Sequence, residues 1–200
     1  ELIRKDLIKE LIVYVNKNNY SLNSHIKPSI YETNPFLIGK NTNLIEYALF
    51  FGSIQVFNYL LQNKVSLISS AWLYAIHGEN SEIIHYLEDK HIEPPKYLDN
   101  VANYFLESII CHHNNVANYI LNNYVQDEEV FLSNLLVQLL ENYNFNFLSI
   151  KLIEVSSFFL LCQYDYYYFI NILLKEKNID INEFTKIEPN KNKTYLSEKN

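Results

Sequence analysis

The stretch LIEYALFFGSIQVFNYLLQNKV, Leu44 to Val65, decides how the whole chain is read. Gly52 stands between two apolar runs of helical period, which predicts two short helices joined by a tight turn. Shifted by 27 residues, the stretch finds itself again. Tyr47 falls on Tyr74, Ala48 on Ala75, Leu49 on Ile76, Val56 on Ile83, Tyr59 on Tyr86 and Leu60 on Leu87. A further shift of 33 sets Ala75 on Ser108, Ile76 on Ile109, Ile83 on Val116, Tyr86 on Tyr119 and Leu87 on Ile120. In the last such stretch, SSFFLLCQYDYYYFINILLKEKNIDIN from Ser156, Leu161 takes the alanine column and Leu173 the Leu60 column. Columns that keep size and polarity together make Leu44–Val65 one unit of a repeating array. One helical pair cannot cover its own apolar faces, so stacked neighbours supply the core.

A period near 33 with two short helices per unit is the ankyrin period. The expected fold is all-α, an α-solenoid of degenerate ankyrin-like helix-turn-helix repeats. Small residues at Ala48 and Ala75 thin the first helix so that neighbouring units approach. Upstream, Leu2, Ile3, Leu7, Ile8, Leu11, Ile12 and Val15 predict an amphipathic helix over roughly 2–17. A connection with Pro28 and Pro35 as breakers follows. From Asn43 the chain reads as helical almost to Asn178, with polar breaks at 64–70, 91–98, 123–128 and 142–146. The expected organisation is a capping helix and loop over 1–42, a degenerate array over 43–183, and the start of a truncated repeat or linker over 184–200. That last segment is expected to be frayed. Segment 142–155 fits the columns poorly. With Glu1 first and no methionine, a piece of a longer protein is expected.

Larger blocks carry a resemblance. IEYALFFGSIQVFNYLLQ resembles the ankyrin core, with Ala48, Gly52 and Leu60–Leu61 at matching places, and INILLKEKNIDIN resembles the end of another unit. IKPSIYETNPFLI, AWLYAIHGENSEIIHYLE and ESIICHHNNVANYI, in that order, resemble the domain of unknown function at the front of many trichomonad ankyrin-repeat proteins. The resemblance spans roughly residues 5–183. It implies further ankyrin repeats after this domain and no established biochemical activity. Two features depart from plain ankyrin: the Thr-Pro-Leu-His start is missing from every unit, and so are the glycines that shape the finger turns. Ankyrin-type arrays bind through a concave face lined by the ends of the first helices. By column, those positions here are Phe50, Phe51, His77, Ile110, Gln163 and Tyr164. Packing beneath the loop Pro35–Ile38 is the alternative and fits Phe51 at least as well; for Phe50, partial exposure and binding are expected. Phe50→Ala is then expected to weaken a partner while leaving the melting temperature nearly unchanged.

Composition narrows the function. The net charge is −7, and residues 97–150 hold six acids, Asp99, Glu107, Asp127, Glu128, Glu129 and Glu141, with no Lys or Arg. A phosphate backbone demands a basic surface, so no nucleic-acid partner is expected. The acidic middle reads as a solvated face, with a docking site for a basic partner as the alternative. No apolar run approaches the ~20 residues that span a bilayer. Cys111 and Cys162 form no disulfide framework, and an intracellular, cytoplasmic setting is expected.

Chemistry is sparse. Gly39, Gly52 and Gly78 stand too far apart to cradle a phosphate. Cys111–His113 is the one suggestive cluster, with His77 one unit upstream. Cys and His are zinc ligands, but consecutive helical residues diverge by about 100°. The plainer reading is a helix end whose histidines hydrogen-bond terminal carbonyls. A Cys–His nucleophile lacks an evident orienting third group. Tyr164–Tyr168 reads as packing for a following unit, with aromatic recognition as the alternative. The expected function is a non-enzymatic protein-interaction scaffold for an unknown protein partner, without cofactor, metal or catalytic residue. The alternative is a structural cap shielding the end of a longer ankyrin array.

Overall fold

The computed structural model describes residues 1–27, 29–67, 70–92 and 98–176, leaving the side chains of 98–100, Val155 and Glu176 aside. Among these residues the secondary structure is all helical, apart from one isolated bridge between His25 and Asn43. Eleven α-helices follow in order: α1 Ile8–Asn18, α2 Leu44–Phe50, α3 Ile54–Gln62, α4 Ala71–Gly78, α5 Ser81–Asp89, α6 Leu98–Ile110, α7 Asn114–Tyr124, α8 Glu128–Asn134, α9 Leu136–Glu141, α10 Phe158–Gln163 and α11 Tyr167–Glu176. No helix of the described residues is long and apolar enough to cross a membrane. The expected frayed segment, 184–200, lies outside the described residues.

The helices pair as the columns predict. α3 packs on α2, α5 on α4, α7 on α6 and α11 on α10; α2 also packs on α4, and α4 on α6. Ala48, Ala75 and Ser108 are all sealed from solvent, as are Leu49, Ile76 and Ile109 beside them. Val56, Ile83, Val116, Leu60, Leu87, Ile120 and Leu173 are buried in the second helices. α2 is buried at every position, Glu46 included. That carboxylate survives because it closes a capping box with Asn43 and also accepts from Ser70 Oγ at 2.9 Å. Trp72 is completely enclosed on α4, and its indole N–H donates to the Ile92 carbonyl.

The turns at the helix ends do without glycine at most places. Helix ends close with paired backbone bonds in which one residue adopts the left-handed conformation. Ser53 N–H donates to the Ala48 carbonyl and Gly52 N–H to Leu49; His113 and His112 repeat this onto Ser108 and Ile109. The left-handed residues are Gly52, Glu79, His112, Tyr143 and Asp165 after first helices, and Asn19, Lys64 and His91 after α1, α3 and α5.

Two predicted elements differ. The helix expected over 2–17 is instead a turn over residues 2–6 followed by α1. The break falls at Asp6, which has φ 51° and whose carboxylate accepts the Gln55 and Val56 N–H groups at 3.0 and 2.9 Å. Asp6 thus caps α3 from a distant part of the chain, and Ser53 Oγ donates to the Ile3 carbonyl beside it at 2.6 Å. Asp6→Ala is expected to cost about 1–2 kcal/mol in urea unfolding, with Asp6→Asn recovering most of it, since Asn also caps and tolerates the left-handed region. Equal midpoints for wild type and Asp6→Ala would remove this cap from the account. In the poorly fitting segment, the second helix of a fourth pair is replaced by single 3-10 turns at Phe145–Phe147 and Ile150–Leu152. Asn142, Asn144 and Asn146 are weak helix formers, and Asn142 ends α9 with its side-chain amide donating to the Gln138 carbonyl at 2.8 Å. Asn144 is buried, donating to the Ile109 carbonyl at 3.3 Å and to Asn114 Oδ1 at 2.8 Å.

Candidate functional site

The ends of α2, α4 and α6 border a groove of about 760 Å³ with the turn Asn34–Phe36 on its other side. Asn34 holds that turn, its side-chain oxygen accepting the Phe36 N–H at 2.9 Å. Phe36 is thereby laid over α2 and α4. Its ring stacks on Phe50 with centroids 5.6 Å apart, meets Tyr74 edge-on at 5.2 Å and lies 4.2 Å from the His77 ring. Lys40 sits over the same ring, its ammonium pKa pulled down by burial against the opposing pull of Glu107 and Glu46.

His77, in the last turn of α4, is flanked by Phe36 and by Phe50, whose centroid is 4.5 Å away. Its Nε2 lies 2.8 Å from Glu107 Oε1, and its Nδ1 lies 3.2 Å from Cys111 Sγ. Glu107 stands one turn before Cys111, so both project from the same side of α6. The approach of His77 to Cys111 follows the column reading; Glu107 is the third group that reading did not supply. Its signal was legible as Glu-x-x-x-Cys spacing one unit below His77, but it was read as part of the acidic run.

The trio resembles a nucleophile, base and orienting acid, yet its electrostatics oppose that role. Burial, with the Glu107 charge adding to it, pushes the Cys111 thiol up to about 12. Cys111 also follows the C-terminus of α6, where the helix dipole disfavours an anion. A nucleophilic cysteine needs the reverse surroundings. His113 fulfils the plainer reading in altered form: its Nδ1–H donates to the Ile76 carbonyl at 2.8 Å, near the end of α4 rather than of α6.

Four of the six residues expected on one face line this groove: Phe50, Phe51, His77 and Ile110. Ile110 is 52% exposed at its rim. Phe50 departs from the expectation. Its side chain is buried, because the loop folds Phe36 over it. Phe51 is half-buried against Tyr47 and Phe50, with the Arg4 guanidinium 4.9 Å above its ring. Gln163 and Tyr164 are not among the lining residues; Tyr164 instead donates to Glu141 at 2.7 Å, beside the smaller second core. A larger cleft of about 950 Å³, which the sequence reading missed, lies between α1 and the loop that follows it. It is bordered by Tyr14, Tyr20, Ile30 and Leu37, with Arg4 reaching Glu32 at 2.5 Å and Tyr47 at 2.7 Å on one side.

Compared with known proteins, the chain matches no family model, no curated protein and no solved structure.

Proposed function

We propose that the chain is a non-catalytic protein-interaction scaffold, built as an α-solenoid of degenerate ankyrin-like units. The repeat reading is supported by the agreement of sequence columns with helix pairing and by the recurring left-handed closures. The observation that carries the binding reading is the groove itself, where Phe51, His77 and Ile110 from three successive units share one lining. A half-exposed isoleucine beside half-buried aromatic and titratable groups has the character of an interface centre with a polar rim. The partner is an unidentified protein. The test begins with a partner recovered by affinity capture from the native cell and titrated against purified chains. Ile110→Glu is expected to weaken it about tenfold or more, with an unchanged melting temperature because Ile110 is not core. Equal affinity for both chains would move binding away from the groove.

One observation favours the second reading, a cap for a longer array. Tyr167 and Tyr168 are 74% and 69% exposed on α11, the last described helix, where a following unit would cover them. On that reading no saturable partner is recovered, and Ile110→Glu changes nothing.

A further inference from the structure

We propose that His77, Glu107 and Cys111 bind one divalent transition-metal ion, with zinc the ion this donor set fits best. The site goes beyond the scaffold reading and stands whether or not a protein occupies the groove. Imidazole, carboxylate and thiolate are each established zinc ligands. A thiolate and an imidazole together disfavour magnesium and calcium, which take oxygen donors.

The placement is specific. One ligand atom from each residue lies within 4.8 Å of the others. His77 Nε2 is 2.8 Å from Glu107 Oε1 and 3.9 Å from Cys111 Sγ. Around a tetrahedral ion with bonds of about 2.0–2.3 Å, neighbouring donors stand about 3.3–3.8 Å apart. Cys111 Sγ lies nearer Nδ1, at 3.2 Å, than Nε2, at 3.9 Å. Sharing one ion on Nε2 therefore requires the Cys111 side chain to rotate from the Nδ1 side of the ring toward Nε2 while the carboxylate withdraws. The histidine need not search for its place, because Phe36 and Phe50 already hold its ring. Glu107 and Cys111 share one face of α6, so the helix fixes their spacing.

An ion here also resolves an awkward juxtaposition. A carboxylate faces a thiol in partly buried surroundings, and a divalent cation supplies the positive charge that lets both act as anions. Binding would release the Cys111 thiol proton to solvent and take His77 as neutral imidazole through Nε2, leaving the proton on Nδ1. Three protein ligands leave a fourth position for water or for a donor from whatever enters the groove. The sequence alone favoured a helix end at Cys111–His113. The third ligand comes from a different part of the helix than the cluster that drew attention.

The test uses the reduced, chelator-treated chain and cobalt(II) as the probe. Expected is a single equivalent bound, with thiolate-to-cobalt charge-transfer absorption in the near ultraviolet and the visible bands of a tetrahedral site. Zinc displaces the cobalt and a large excess of magnesium does not. Cys111→Ser abolishes the charge-transfer band. Glu107→Gln, nearly isosteric and neutral to the helix, weakens binding by at least the ~10–100-fold that even an outer-shell partner carries. His112→Ala, a neighbour outside the set, leaves the spectrum unchanged. The proposal is overturned if no charge-transfer band develops at one equivalent. It is also overturned if the band persists in Cys111→Ser, which would assign it to Cys162, or if Glu107→Gln and His77→Gln both bind as wild type. Far-UV circular dichroism of each variant separates loss of a ligand from loss of the fold.

Discussion

Gly78→Ala is expected to destabilise the chain by about 2–3 kcal/mol, although helix propensity alone favours alanine over glycine by about 1 kcal/mol. The reason is the contact between α2 and α4. A Cβ at Gly78 would lie 2.2 Å from the Leu49 carbonyl oxygen and 2.7 Å from the Gly52 nitrogen. Both are backbone atoms, so no side chain can swing aside. Gly52 closes the same contact from the other side, where an added Cβ would stand 2.5 Å from the Gly78 carbonyl oxygen. Asn80 ties the junction by donating to the Gly52 carbonyl at 3.0 Å. Overpacking commonly costs about 1–3 kcal/mol, and two helices must separate here. Urea unfolding gives the measurement, as a lower midpoint at unchanged slope. Gly39→Ala is the control. Like Gly52 and unlike the helical Gly78 it has positive φ, but nothing lies within 4 Å of its Cβ position, so only the backbone preference of about 1–2 kcal/mol acts there. A Gly78→Ala chain more stable than wild type would show that propensity wins and that this backbone contact is looser than described.

Phe50→Ala is expected to cost about 3–5 kcal/mol, the usual range for emptying an aromatic core site. For a chain of this size that lowers the melting temperature by roughly 6–12 °C or more. Phe50 lies under Phe36 and beside His77 and Phe51, so its loss leaves a cavity that the short α2 cannot collapse. One of the two rings holding His77 goes with it, and cobalt affinity should fall as well, by less than on losing a ligand. Thermal denaturation followed by circular dichroism decides the matter. A melting temperature unmoved by Phe50→Ala would restore the exposed, partner-facing residue that the columns alone imply.

The difference between these two views of Phe50 shows where the sequence was readable. Periodicity reports which residues turn inward, and there the reading agrees with the structure: Ala48, Ala75, Ser108, Leu60, Leu87 and Ile120 are buried. Of the predicted breaks, 64–70 falls between α3 and α4, 123–128 overlaps the ends of α7 and α8, 142–146 runs into the first 3-10 turn, and most of 91–98 lies outside the described residues. What periodicity lacks is the path of non-repeating chain. Loop Asn34–Phe36 has no column: packing beneath the loop Pro35–Ile38 is an alternative that fits Phe51 best, whereas Phe36 lies on Phe50 and His77. Asp6 was hidden for the same reason, because its partner groups lie at Gln55 and Val56. Within the candidate site, Phe51, His77 and Ile110 were placed by column, whereas Glu107 was concealed by its resemblance to ordinary surface charge. Gln163 and Tyr164 were carried into the site by an assumed regular spacing that the 3-10 segment after α9 does not keep.

The left-handed closures have a consequence for which substitutions these helix ends tolerate. After the first helices the closing residue is glycine, glutamate, histidine, tyrosine and aspartate in turn. At four of the five the turn is closed by a pair of backbone bonds, and at Glu79 one N–H serves both the Ala75 and Ile76 carbonyls, so the side chain at that place is free to vary. A residue type that pays a small conformational cost at one closure can be exchanged for another of equal cost while the path of the chain stays the same. Each of these positions therefore constrains the backbone tightly and the side chain hardly at all.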